Sequence, residues 1–248
     1  MELRDIVDRY AEAIEAIDQS AQAAAFRGHM YQAGFAALSE PAAVRTIDAG
    51  WERLHPGERS DHRMGVAYSG NQIRADADHV ISSRLHANSG RPEWAVEVKR
   101  LQFVGDNGKG NDFAVGKVLS PYLKDRGMLH DALRLQDSDF TERVAVVGYG
   151  FDYDAETIRE GRARHSSARA HETLANIEDS INRNGPLHLE ALVEFADAIL
   201  GLRGLKKGPR VQRSFEAWAH PAGGRGLVFG WEIRRPRLEP GFDPRHPW

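Results

Sequence analysis

The sequence predicts a mixed α/β sheet flanked by helices, and three observations carry that expectation. Residues 91–101, RPEWAVEVKRL, alternate as a strand does, with Trp94, Val96 and Val98 on one face and Ala95, Glu97, Lys99 and Leu101 on the other. Residues 142–149, ERVAVVGY, are nearly all apolar and fit a strand covered on both faces. Apolar stripes at three-to-four spacing mark helices toward both ends of the chain, in 3–25 and 187–200. Several antiparallel strands followed by a strand–helix–strand crossover make a mixed sheet between helical layers.

In chain order, Leu3, Ile6, Val7, Tyr10, Ile14 and Ile17 line one face of a helix over 3–25, before an Ala-rich run and a loop near Gly28 and Gly34. Residues 1–38 thus read as an N-terminal helical segment, packed on the core or pairing with a second copy. Ser39-Glu40-Pro41 reads as a helix start, with Ser as N-cap and Pro in the first turn. That helix runs to about residue 54 and buries Val44, Ile47 and Trp51. Residues 55–64, HPGERSDHRM, read as polar loop. Strands follow over 65–69 and 73–82 around a Gly70-Asn71 turn, then a loop over 85–92, the central strand over 93–104, and a tight loop, GDNGKG, over 105–110. Asp112 caps a helix holding Phe113, Val115, Val118, Leu119 and Tyr122, which Pro121 kinks or ends. A further helix carries Leu129, Leu133 and Leu135. The strand at 142–149 comes next, then a polar helical insertion over 152–187 and the amphipathic helix over 187–200. Strands over 211–217 and 227–233 close the sheet around a turn at 221–226. One domain over 39–235 and a Pro-rich tail over 236–248 complete the division.

Composition narrows the function classes. The 248 residues are 41% hydrophobic and 28% charged, an ordinary globular balance. No apolar run is long enough to span a bilayer and no basic-then-apolar leader opens the chain, so neither membrane insertion nor export is expected. With no cysteine there are no disulfides and no thiolate metal sites, which suits the cytoplasm. The formal charge of −3 argues against binding nucleic acid by bulk charge but allows a local basic groove.

The chemistry gathers on the central strand. Glu97 and Lys99 project from one face of a hydrophobic strand, where burying charge is costly unless it is paired or ligates a metal. Asp76 and Asp78 share one face of the strand before it. If the two strands pair, carboxylates and a lysine converge as a divalent-metal site. Competing readings are a surface Glu97–Lys99 ion pair on an edge strand, solvated aspartates at 76 and 78, and the DxD of a nucleotide-sugar transferase, which no preceding nucleotide-binding unit supports. GDNGKG lacks Walker A spacing, Gly148-Tyr149-Gly150 lacks the third glycine of a dinucleotide fingerprint, and the eleven histidines form no HxxxH or HExxH pair.

An acidic residue on a helix, an Asp on a strand and Glu-x-Lys on the next, with a helix and a hydrophobic strand following, resemble the PD-(D/E)XK nuclease superfamily, the restriction-endonuclease-like fold. The matching residues are Glu40, Asp78 and Glu97-Val98-Lys99, within 39–151. The later run GDNGKGND…LSPY…DR…DALRL…VAVVGYGFDYD is similar to uncharacterised bacterial members of that superfamily. The residue before the acidic position is Ala77 rather than Pro. Asp76 competes with Asp78, which the closely following Val80-Ile81 favours by the family pattern. The resemblance implies Mg²⁺ or Mn²⁺ held by Asp78 and Glu97, with Asp76 the rival ligand and the Val98 carbonyl a further one. It also implies Lys99 orienting or deprotonating the attacking water or stabilising charge on the phosphate, and Glu40 at the site edge binding a second metal or holding a water. The activity implied is a DNA endonuclease of restriction or defence type. The rival is a nucleic-acid-binding or assembly protein with the fold and no turnover. Arg100, Lys109, Lys117, Tyr122, Lys124 and Arg126 are candidate phosphate contacts. Two further basic clusters are Arg203, Lys206, Lys207, Arg210 and Arg213, and Arg234, Arg235 and Arg237. Cutting both strands calls for two sites, so a homodimer is expected, with the N-terminal helix and the 152–187 insertion as candidate interfaces.

Overall fold

The computed structural model describes residues 1–20, 25–26, 29–30, 34–68, 76–103, 112–122, 127–164, 168–219 and 224–235. The Gly70-Asn71 turn, the 105–110 loop with Lys109, and Lys124, Arg126, Arg237 and the Pro-rich tail lie outside them. Helix α1 (Leu3–Ser20) is followed by two-residue strands β1 (Ala25–Phe26) and β2 (His29–Met30), then α2 (Glu40–Leu54). Strands β3 (Arg59–Ala67), β4 (Asp76–Ser83) and β5 (Trp94–Leu101) form an antiparallel meander. Helices α3 (Asp112–Val118) and α4 (Met128–Asp137) carry the chain to β6 (Arg143–Phe151), which pairs parallel to β5. Helices α5 (Ala155–Arg164), α6 (Ala168–Asn184) and α7 (Leu189–Leu202) precede β7 (Val211–Ala217) and β8 (Gly224–Glu232). The six-stranded sheet runs β3-β4-β5-β6-β8-β7, so the two most apolar strands, β5 and β6, lie at its centre.

Both sheet faces are buried, as β6 requires. On one face Trp94, Val96 and Val98 meet the apolar sides of α1 and α2, including Ile6, Tyr10, Ile14, Ile47 and Trp51. On the other, Ala95, Leu101, Val144 and Val146 meet Leu129, Ala132 and Leu135 of α4 and Val193 and Leu200 of α7. Each large aliphatic side chain buried in these layers contributes about 1.5–3 kcal/mol. Glycines let the layers close up. A Cβ on Gly150 would stand 2.3 Å from the Leu101 carbonyl oxygen, and the Phe229 ring lies where a Gly148 side chain would be.

Four expectations need correction. The first helix ends at Ser20, and Ala25–Phe26 pairs with His29–Met30 instead. The apolar stripe of α1 is spent inside the core, against α2, β7 and β8, so it is not a free pairing face. The polar loop over 55–64 is largely strand: β3 starts at Arg59 and is exposed over most of its length. An edge strand with little buried surface needs no apolar alternation, which is why composition hid it. The 152–187 insertion forms α5 and α6, but Ile158, Leu174, Ile177 and Ile181 join the same core as α1, so it is no appendage.

Candidate active site

The site forms where two paired strands part. The ladder between β4 and β5 spans only His79–Ile81 against Trp94–Val96. Toward the start of β4 the strands diverge, and Asp78 turns its carboxylate into the gap: Oδ2 accepts the Val98 N–H at 2.8 Å. A buried donor on the central strand is thus satisfied by a side chain rather than by the neighbouring backbone. His79, next in sequence, points to the opposite face. Its Nδ1 lies 2.9 Å from the Tyr10 hydroxyl and its Nε2 2.9 Å from Asp48 Oδ1, and Asp48 also accepts from Arg59 at 2.5 Å. This fully buried chain clamps β4 to α1 and α2 behind the site.

Glu97 and Lys99 are 2% and 9% exposed, which excludes the surface ion pair. They also take different partners. Glu97 Oε1 accepts the Tyr68 hydroxyl at 2.5 Å and Arg134 Nη2 at 2.6 Å. Lys99 Nζ reaches Asp131 Oδ2 at 2.8 Å and lies 3.6 Å from Glu40 Oε1. Asp131 and Arg134, one turn apart on α4, are joined at 2.8 Å, and Arg134 stacks 4.9 Å over the Tyr68 ring. Glu40, the first residue of α2, reaches the site at the far end of β5, where its Oε2 accepts the Arg100 N–H at 3.2 Å. Ser39 takes extended N-cap geometry as expected, without a side-chain bond to the helix.

Four carboxyl groups (Glu40, Asp78, Glu97, Asp131) therefore meet two cations (Lys99, Arg134). Burial, with repulsion from Asp131 and Asp78, pushes the Glu97 carboxyl up to about 8, against the pull of Arg134 and Lys99. Burial works against the Lys99 ammonium, but Asp131, Glu40 and Glu97 outweigh it and hold it protonated above the ordinary lysine range. Burial raises the Tyr68 phenol, and the Glu97 charge raises it further, so Tyr68 donates.

Among the described residues no group of three or more His, Cys, Asp or Glu side chains is arranged to hold a metal ion. The donor set still fits Mg²⁺ or Mn²⁺, because Mg²⁺ is commonly held by one or two carboxylates and keeps several waters. Asp78 and Glu97 could supply those carboxylates, with the Val98 carbonyl as a further oxygen, and the excess of carboxyl groups over cations favours a divalent cation. Asp76 stands exposed at the first residue of β4, opposite Ala67, and is not drawn into the cluster.

The expected phosphate contacts divide. Lys117 and Tyr122 are exposed, Tyr122 at 60%. Arg100 turns its guanidinium to the Leu38 carbonyl. In the second basic cluster Lys207 pairs with Asp197, Arg210 with Glu190 and Glu194, and Arg213 with Glu12. Arg235 of the third cluster bonds the Thr141 carbonyl. Sequence reasoning missed Tyr68, Asp131 and Arg134. For Asp131 a signal existed: Met128, Asp131, Ala132 and Leu135 fall on one helical stripe, and a carboxylate within a buried stripe requires a partner. Comparison of the chain with protein-family models found no match, and comparison with curated proteins and with solved structures found no significant one.

Proposed function

We propose that this chain is a metal-dependent phosphodiesterase acting on nucleic acid, a DNA endonuclease of restriction or defence type. The observation that carries the reading is the convergence of Asp78, Glu97, Lys99 and Glu40 where β4 and β5 part. The order α2-β3-β4-β5-helices-β6, antiparallel and then parallel, supports it as the arrangement that the PD-(D/E)XK resemblance implies.

Asp78, Glu97 and the Val98 carbonyl would hold Mg²⁺ or Mn²⁺, which when bound makes a water more acidic and offsets charge on the scissile phosphate. Lys99, which reaches into the gap beside Asp131 and Glu40, would donate to a phosphate oxygen and stabilise the charge that develops there. Glu40, about one-third exposed beside Lys99, would hold the attacking water or bind a second metal. Arg134 and Tyr68 fix the Glu97 carboxyl from behind. Exposed Lys117 and Tyr122 offer contacts for the flanking strand. Two-strand cleavage then calls for a second copy, whose contact surface is not the buried face of α1.

The test is cleavage of supercoiled plasmid, genomic DNA and single-stranded RNA with Mg²⁺ or Mn²⁺, wild type beside Lys99→Ala. DNA products from the wild type alone support the reading. Intact DNA binding with no cleavage of any substrate supports the non-catalytic alternative. Equal cleavage by both proteins refutes the assignment of Lys99.

A further inference from the structure

Asp131 divides its carboxylate between two cations. Oδ2 lies 2.8 Å from Lys99 Nζ and Oδ1 2.8 Å from Arg134 Nη2, and Arg134 passes on to Glu97 Oε1 at 2.6 Å. One side chain on α4 is therefore tied to both functional side chains of β5, to Lys99 directly and to Glu97 through Arg134. Asp131 is 3% exposed, so water does not compete for these bonds. Packing alone does not call for a carboxylate here, since its stripe neighbours Met128, Ala132 and Leu135 are apolar and buried. A lysine has a flexible four-carbon stem and gives a point charge without directional preference. Glu40, at 3.6 Å, is beyond hydrogen-bond distance and does not fix it. The only short anchor of Lys99 among the described residues is Asp131.

Resting on the phosphodiesterase reading above, we propose that Asp131 is a positioning residue: it holds the Lys99 ammonium at one point of the strand gap. It acts through Lys99 and does not itself meet the phosphate.

The experiment is single-turnover plasmid cleavage by wild type, Asp131→Asn, Asp131→Glu, Lys99→Ala and the Lys99→Ala/Asp131→Asn double variant, with the Mn²⁺-induced rise in melting temperature measured on each. Misplacing a reacting group by an ångström costs on the order of 10²-fold, and that loss is expected for Asp131→Asn, with the DNA concentration at half-maximal rate unchanged and the Mn²⁺ shift retained. In the Lys99→Ala background the same substitution should add less than about threefold, because the group through which it acts is gone. Asp131→Glu keeps the charge and the fold while moving the anchor by one methylene, and about tenfold slower cleavage is expected. Cleavage at the wild-type rate by Asp131→Asn or by Asp131→Glu overturns the proposal. So does an equal loss from Asp131→Asn with and without Lys99. An active wild type with indifferent Asp131 variants refutes the positioning role alone, whereas a wild type inert on every substrate refutes the phosphodiesterase reading and the proposal with it.

Discussion

Glu97→Gln should make the folded protein more stable in alkaline, metal-free buffer. The Glu97 carboxyl rises from 4.5 to about 8 on folding, through burial and the repulsion of Asp131 and Asp78. The folded state therefore binds more protons at this position than the unfolded state between those two values. Stability from this group is fully present below about 4.5 and is lost as pH rises through about 8. One linked proton changes stability by at most about 1.4 kcal/mol per pH unit, so the ceiling over the interval is on the order of 5 kcal/mol. The pull of Arg134 and Lys99 is already contained in that value, so a loss of about 3–5 kcal/mol is expected. Gln presents a neutral amide whose oxygen can still accept from Tyr68 and Arg134. The assay is urea unfolding of both proteins with EDTA from pH 5 to pH 9. His79 contributes with the opposite sign: burial lowers its pKa below 6.5, so it costs stability as pH falls, but it does so in both proteins and cancels in the difference. Wild-type stability minus variant stability should fall steadily with pH and level off above about 8. A flat difference, or one that rises, would show that Glu97 is ionised across the range and that the charge argument for the site is wrong.

Other parts of the fold give simpler outcomes. His79→Leu leaves the buried Tyr10 hydroxyl without its partner and removes one donor to Asp48, and should cost about 2–4 kcal/mol by denaturant unfolding. Trp51→Ala removes a fully buried side chain that packs on Tyr10 and His79, lies under Arg59 and donates to Glu58 at 2.8 Å; the expected loss is about 3–5 kcal/mol. Gly150→Ala drives a methyl group against the Leu101 carbonyl of the neighbouring central strand, which cannot swing aside as a side chain would. A drop of about 1–3 kcal/mol is expected, and an unchanged melting temperature would mean that β5 and β6 are less tightly paired than described.

The sheet was legible wherever burial wrote a pattern. β5 and β6 announce themselves because both faces are covered, and α1, α2 and α7 because one face is. β3 was hidden because an exposed edge strand such as RSDHRMGVA satisfies its backbone on one side only and buries little. Alternation placed Glu97 and Lys99 on one face correctly, but it could not assign their partners. Tyr68 and Arg134 lie 29 residues before and 37 after Glu97 in the chain, and nothing local in the sequence brings them together. The surface-pair alternative rested on only one face of β5 being surely buried, and it failed when α4 covered the other. The basic clusters misled for a related reason: charge counted along the chain ignores acidic partners on other elements, and Arg210 and Arg213 are each neutralised by residues 16 or more positions away.

The choice between Asp76 and Asp78 shows where the sequence stops and geometry takes over. Both point to one side of β4, so alternation ranks them equally. The parting of the strands separates them: Asp78 accepts the Val98 N–H and raises the Glu97 pKa, while Asp76 stands in solvent at the strand's first residue. Asp78→Asn keeps an oxygen for Val98 and removes only charge. Its fold should persist, and one of the repulsions that keep Glu97 protonated disappears. The fall of stability with pH in EDTA should therefore become shallower than in the wild type. At the same time any rise in melting temperature on adding Mn²⁺ should vanish, because a cation that binds only the folded state stabilises it by linkage and the charge that attracted it is gone. Asp76→Asn should alter neither curve. The two readouts come from different physics, proton release in the absence of metal and cation binding in its presence, yet both are assigned to the same carboxylate. A Mn²⁺ shift that survives Asp78→Asn and is lost in Asp76→Asn would place the cation at the mouth of β4, away from Glu97, and would remove the basis for treating the strand gap as the catalytic centre.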